Sequence, residues 1–232
     1  MTNLPQHRVN FVRPFEHTGV DFTGHLFVED DKKKLQKMYL LIYTCLNIRA
    51  IHIDVLPDMS AESFLLSFQR FTNIYGIPSS LYSDNARTFK LGGDILLESL
   101  SSDMFSEHMR INNIKHYKIP LYSSWVGSVW ERMIRTVKGC LYKTIGKATL
   151  TYYQLLTTIS NIINVINSRP LTYRSSENEF EIIAPNSFLK PYGNSNLIFK
   201  EVSTPLWKQL PPSQQDLAIT LTTQGKVLEM FR

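Results

Sequence analysis

Three strand-length apolar runs follow one another between positions 17 and 56 with little room between them, and no other feature limits the fold as tightly. The first, 17–28, holds GVDFTGHLFV; the second spans 38–46 and the third 49–56. A polar stretch at 29–37 and a gap of two residues are both too short for the crossover that a parallel pair requires. The three runs are therefore expected to lie side by side and antiparallel.

The period then changes. Ser60 stands as an N-cap before Phe64, Leu65, Phe68, Phe71 and Ile74, which recur at helical spacing until Gly76 and Pro78 stop them. A short strand at 79–83 follows and delivers Asp84 at its end. Residues 88–110 carry mixed helical patterning with two early glycines, and 114–119 alternates like a strand before Pro120. After a loop at 121–127, Trp130, Met133, Ile134, Val137 and Leu141 mark one face of a long helix reaching about Gly146. A further helix is expected at 152–167. This order implies an α/β fold: a mixed five-stranded sheet flanked by helices on both faces.

A chain of 232 residues, 43% of them apolar, can bury one ordinary core. The expected division is an extended N-terminal arm at 1–14, a core at 15–190, and a linker with a truncated C-terminal segment at 191–232, where prolines recur and periodicity fades. A net charge of +5 suits a polyanionic partner without proving one. Cys45 and Cys140 have no ligand-like spacing and read as reduced, buried or semi-buried thiols. The N-terminus lacks an apolar signal core, and the most apolar stretch, 39–48, is too short to span a bilayer, so an intracellular protein without membrane contact is expected. P-loop, zinc-protease and Rossmann glycine patterns are missing, which leaves nucleotide hydrolysis, metalloproteolysis and nicotinamide chemistry without support.

Three carboxylates carry the chemical signal. Asp21 sits mid-strand between Val20 and Phe22, which should face the other side of the sheet. A carboxylate beside a core is costly unless something compensates it. Asp84 closes YSDN at a strand C-terminus, and Glu131 opens a long helix after a loop containing Gly127. Brought together, three such groups suit two Mg²⁺ or Mn²⁺ ions, hard cations that prefer oxygen donors and can clamp both oxygens of a phosphoryl transfer. On the same helix Glu131, Arg135, Lys138 and Tyr142 share one face, a carboxylate followed by a basic row suited to a DNA backbone.

HTGVDFTG, YSDNARTF, IPLYSSWVGSVWERMIRTVK, NSRPLTYR and APNSFL, in this order, resemble the successive blocks of an integrase catalytic core, most closely that of the Bel/Pao class of long-terminal-repeat retrotransposons. The resemblance runs over roughly residues 5–190; each block alone is weak, and their order makes the match specific. It implies a ribonuclease H-like fold and a metal triad of Asp21, Asp84 and Glu131 holding two ions. It also implies two-metal DNA strand transfer (3′-end processing and integration), with Arg135, Lys138, Tyr122 and Asn85 touching DNA. The implied partners are retroelement ends, target DNA and further copies of the chain, at least a dimer; the implied location is nuclear with a cytoplasmic phase.

Two departures accompany it: the interval from Asp84 to Glu131 is wider than in retroviral integrases, which an insertion at about 93–110 accounts for, and Ser128 stands where a second glycine is usual. The chain also has no His-His-Cys-Cys zinc set, so either that domain lies outside it or a host gene has kept only the core. Two other readings stay open at this point: a domesticated, catalytically silent DNA- or protein-binding module, and a ribonuclease H-fold nuclease.

Rival residues have plainer explanations. Asp54, Glu62, Asp94 and Glu98 fit solvated or paired positions, with Glu98 the best substitute ligand if Glu131 fails. The KKKLQK run at 32–37 reads as a solvated turn, and His25 and His116 as ordinary strand side chains. Trp125 fits either packing of its loop or stacking on a base.

Overall fold

A computed structural model describes residues 12–30, 33–84, 103–119, 124–146, 149–175 and 180–190. Strands β1 (His17–Glu29), β2 (Leu35–Cys45) and β3 (Ile51–Leu56) form the antiparallel meander that their spacing predicts. Helix α1 (Ala61–Tyr75) follows, then β4 (Ser80–Asp84), α2 (Asp103–Ile111) and β5 (Lys115–Ile119). Strand β4 lies parallel to β1, and β5 parallel to β4, giving the order β3-β2-β1-β4-β5.

Helix α3 (Ser124–Ile145) crosses one face and leads to β6 (Leu150–Thr151), which pairs in parallel with Val28 and Glu29 of β1. Among the described residues the sheet thus has six strands rather than the expected five, because two residues carry no detectable period. Helix α4 (Tyr152–Asn167) starts at a capping box in which Thr151 and Gln154 satisfy each other's backbone amides. A hairpin of β7 (Thr172–Ser175) and β8 (Phe180–Ile183) and a short α5 (Pro185–Leu189) complete the described chain.

The sheet divides two apolar cores. Under α1 and α2 lie Val20, Phe22, Leu41, Tyr43, Phe64, Phe68, Phe71 and Phe105. Under α3 and α4 lie Leu40, Ile42, Ile134, Val137, Leu141, Leu155, Ile159 and Ile162. A bulge between Thr23 and His25 shifts the side-chain parity of β1, so Val20 and Phe22 serve the first core and Val28 the second. Both cysteines are buried and free. Among the described residues, no helix is long and apolar enough to cross a membrane.

Local chemistry explains the boundaries. Ser60 caps α1 by accepting from the Ser63 amide, as the sequence predicts. The helix stops at Gly76, whose φ of +84° favours glycine, and a Cβ there would collide with the Arg13 guanidinium. That guanidinium reaches the carbonyls of Tyr75 and Ile77, tying the chain before β1 to the end of α1. Ile74, expected on the buried stripe of α1, is 62% exposed instead. The stripe follows Phe64, Ser67, Phe68 and Phe71, and Ile74 falls one position off it.

Among the described residues, outer strand β3 has no sheet neighbour on one side, and Asn167 at the end of α4 caps Ile51 there. Its Oδ1 accepts from the Ile51 amide and its Nδ2 donates to the Ile51 carbonyl, both at 2.8 Å. Asn167 is buried, so these bonds are shielded from water.

On β3, His52 packs against the rings of Tyr43, Phe71 and Tyr75. Burial pushes its imidazole down to about 4, opposed by Asp54 and aided by Arg70. The fold therefore favours the neutral ring. This contribution is fully present above about pH 6.5 and is lost as pH falls from there towards 4; full loss is on the order of 3 kcal/mol. Thermal melts should show a midpoint falling across that window, with a flatter profile for His52→Phe. Parallel profiles for the two proteins would contradict the assignment.

Candidate metal centre and nucleic-acid face

Alternation along β1 decides where Asp21 points. Its neighbours Val20 and Phe22 belong to the α1/α2 core, and its cross-strand partner Ile42 belongs to the α3/α4 core. Directly paired residues share a face, so the half-buried Asp21 side chain lies on the α3 side of the sheet.

The parallel ladder between β1 and β4 ends at Val20 opposite Ser83. Asp21 and Asp84 are the next residue of each strand, one step past that last pair. Asp84 is also the last residue of β4, in register with Ile119 of β5. The strand end is held from the other face, where Ser83 Oγ and His116 Nε2 lie 2.9 Å apart and the His116 ring meets Phe105 edge-on. Burial, with Lys118 adding to it, lowers this imidazole to about 4. His116 is therefore a packed, neutral side chain behind the strand, as its plainer reading holds.

Glu131 lies on α3, which docks through Ile134, Val137, Cys140 and Leu141. The direction of α3 follows from Arg169, which donates both to Met133 Sδ and to the Arg49 carbonyl in the β2–β3 turn. That turn sits beside the start of β1, where Cys45 pairs with Thr18, whereas the far end of α3 leads to β6 beside Val28. The N-terminal half of α3, with Glu131, thus lies towards the Asp21 end of the sheet. Glu131, Arg135, Lys138 and Tyr142 are all exposed, the shared outward face that their spacing predicts.

One boundary differs. The loop expected at 121–127 is helical from Ser124, so Glu131 sits in the second turn of α3 rather than at its start. Gly127 weakens a helix by about 1 kcal/mol relative to alanine, which does not suffice to break one. The side chains of Asp84 and Trp125, and all of Tyr122, Asn85, Asp94 and Glu98, lie outside the described residues. Among the described residues, no three His, Cys, Asp or Glu side chains gather to hold a metal. Carboxylates such as Asp21 and Glu131 are oxygen donors of the kind hard divalent cations select.

The rival acid Asp54 is engaged elsewhere, accepting from Arg70 Nη2 at 2.7 Å. Glu62 occupies the first turn of α1, where an acid favours the helix. His25 is exposed on β1, against Phe27 and Tyr39. Sequence reasoning missed a tyrosine pair: Tyr82 of β4 and Tyr117 of β5 are in register, their rings stacked with centroids 4.9 Å apart and planes at 19°. The alternation of YSD and of KHYKI was its only signal, and it does not reveal which strands adjoin.

The sequence matches no family model and no curated protein. Solved structures do match the fold. A chain of the simian T-cell lymphotropic virus intasome, solved in complex with the PP2A regulatory subunit B56 gamma, aligns at a TM-score of 0.56 and 15% identity over 77% of this chain. This chain spans 55% of that one. The catalytic core domain of BIV integrase aligns at 0.52 and 15% identity, covering 75% of this chain and 93% of its own. The HTLV-2 integrase catalytic core domain in complex with magnesium, in its dimeric form, aligns at 0.50 and 17% identity, covering 72% and 94%. The mixed sheet flanked by helices is thus the ribonuclease H-like fold of retroviral integrase catalytic cores.

Proposed function

From that fold as premise, we propose that this chain is the catalytic core of an integrase that joins DNA ends to target DNA, with Asp21, Asp84 and Glu131 holding two divalent cations, Mg²⁺ or Mn²⁺. What supports the reading is the β1–β4 register, whose last pair, Val20 with Ser83, directly precedes Asp21 and Asp84 on the sheet that α3 crosses. Asp21, Asp84 and Glu131 would supply the carboxylate donors that hold the cations. Bound cations would supply a nucleophile activated at neutral pH and charge stabilisation at the leaving oxygen. The chain's own part is to fix the donors on the sheet and α3 and to hold DNA through the exposed row Arg135, Lys138 and Tyr142, together with Tyr122 and Asn85.

The ordered sequence blocks support a Bel/Pao-type retrotransposon origin, retained in an element or adopted by a host. The dimeric HTLV-2 core and the intasome assembly of the simian virus support work as an oligomer, at least a dimer. Nuclear action after a cytoplasmic phase follows from integration itself.

A joining assay with labelled DNA ends and a target plasmid tests this reading. Joined product is expected with Mg²⁺ or Mn²⁺ and none with a chelator. Cleavage without joining would replace the reading with a nuclease, and salt-sensitive binding without either reaction would replace it with a silent binding module.

Arg135 and Lys138 give a second expectation. Replacing both with alanine should weaken duplex binding and lower the slope of log Kd against log salt by about 2, roughly 0.9 per lost phosphate contact. Binding titrations at several salt concentrations measure this. An unchanged slope would remove the two residues from the DNA face.

A further inference from the structure

We propose that Tyr117, backed by Tyr82, is a stacking platform for an unpaired nucleobase at the end of the DNA, an inference that rests on the strand-transfer reading. Gly19, Tyr82 and Tyr117 form one row across β1, β4 and β5, and the next row of the same parity begins with Asp21 and Asp84. Two residues of strand separate the rows, about 6.6 Å. Tyr82 packs against the α3/α4 core, which places the tyrosine pair on the face that Asp21 shares.

The pair is unequal. Tyr82 is partly buried, whereas Tyr117 stays 44% exposed on the outer strand. Its ring has one face on Tyr82 and no further strand beyond it among the described residues. The spacing between the two rings is close to that between strands, so a base laid on the outer face would extend the same stack by one layer. Exposed Lys115 lies two residues before Tyr117 and shares its face, and exposed Lys118 follows it directly. Lys115 on the same face as the aromatic plate can meet a phosphate while the ring meets the nucleobase. A base inside a duplex has both faces covered, so the occupant is a base at a frayed or single-stranded end. Such a base would hold the strand end beside the carboxylates.

The test uses the 232-residue chain and a DNA duplex bearing a short single-stranded extension that contains 2-aminopurine, whose fluorescence falls on stacking. The wild-type chain should quench the probe saturably. Tyr117→Leu should abolish the quench and weaken binding to the extended DNA about tenfold, while binding to a blunt duplex stays within about twofold. Tyr117→Phe keeps the ring and should retain both quench and affinity, which separates loss of stacking from loss of fold. Quenching by Tyr117→Leu equal to wild type would overturn the platform and leave the strand-transfer reading standing. Failure of the wild-type chain to bind either DNA would overturn both.

Discussion

Asp21→Asn is expected to lower DNA joining on the order of a thousandfold while the protein melts within about 2 °C of wild type. The carboxylate lies half-buried on the α3 side of β1, one register step past the last β1–β4 pair. An amide keeps its shape and polarity and removes the charge, so the sheet loses little. On the proposed metal reading, cation binding loses far more, because a neutral oxygen is a poor substitute for a carboxylate donor. A metal clamp contributes several kcal/mol to transition-state stabilisation, and each ~1.4 kcal/mol is tenfold in rate. Glu131→Gln should behave alike with even less effect on stability, since Glu131 is exposed. Single-turnover joining assays beside thermal melts distinguish the outcomes. Near-normal joining by either variant would sink the metal assignment, and a collapse in melting temperature would make Asp21 a structural group instead.

The second large effect concerns the fold. Asn167→Ala is expected to destabilise the protein by about 4 kcal/mol, since it strips two buried partners from Ile51 at once. A buried backbone group left without a partner costs roughly 1–3 kcal/mol. Solvent does not easily replace the amide, because Ile51 is itself fully buried and Asn167 sits in the α3/α4 layer beside it. Chemical denaturation read by far-UV circular dichroism measures the change. A loss below about 1 kcal/mol would show that the strand relaxes to find other donors. The same segment holds Arg169, which bridges the β2–β3 turn and α3, so NSRPL, singled out as a sequence block, has a structural role here: it locks the last long helix onto the sheet edge.

These two residues mark what the sequence could disclose. The meander, α1, β4, β5 and the long helices were legible because each repeats its period for several residues, and a cap or a Gly-Pro stop fixed their ends. The two-residue β6 and the β7–β8 hairpin repeat too briefly to be read, and α3 begins earlier than its apolar stripe because Gly127 is tolerated in a helix. At the site, the facing of Asp21 followed from the alternation of Val20, Asp21 and Phe22. The pairing of Asn167 with Ile51 and of Tyr82 with Tyr117 joins residues distant in sequence, and only the topology brings them together. No periodic pattern encodes such contacts.

The most direct measurement is anomalous diffraction from crystals of the chain soaked in Mn²⁺, comparing wild type with Asp21→Asn. An anomalous peak is expected between the carboxylates of Asp21 and Asp84, on the α3 side of the sheet, that disappears in the variant. Saturating Mn²⁺ with no peak at Asp21, or a peak that persists in Asp21→Asn, would contradict the metal assignment.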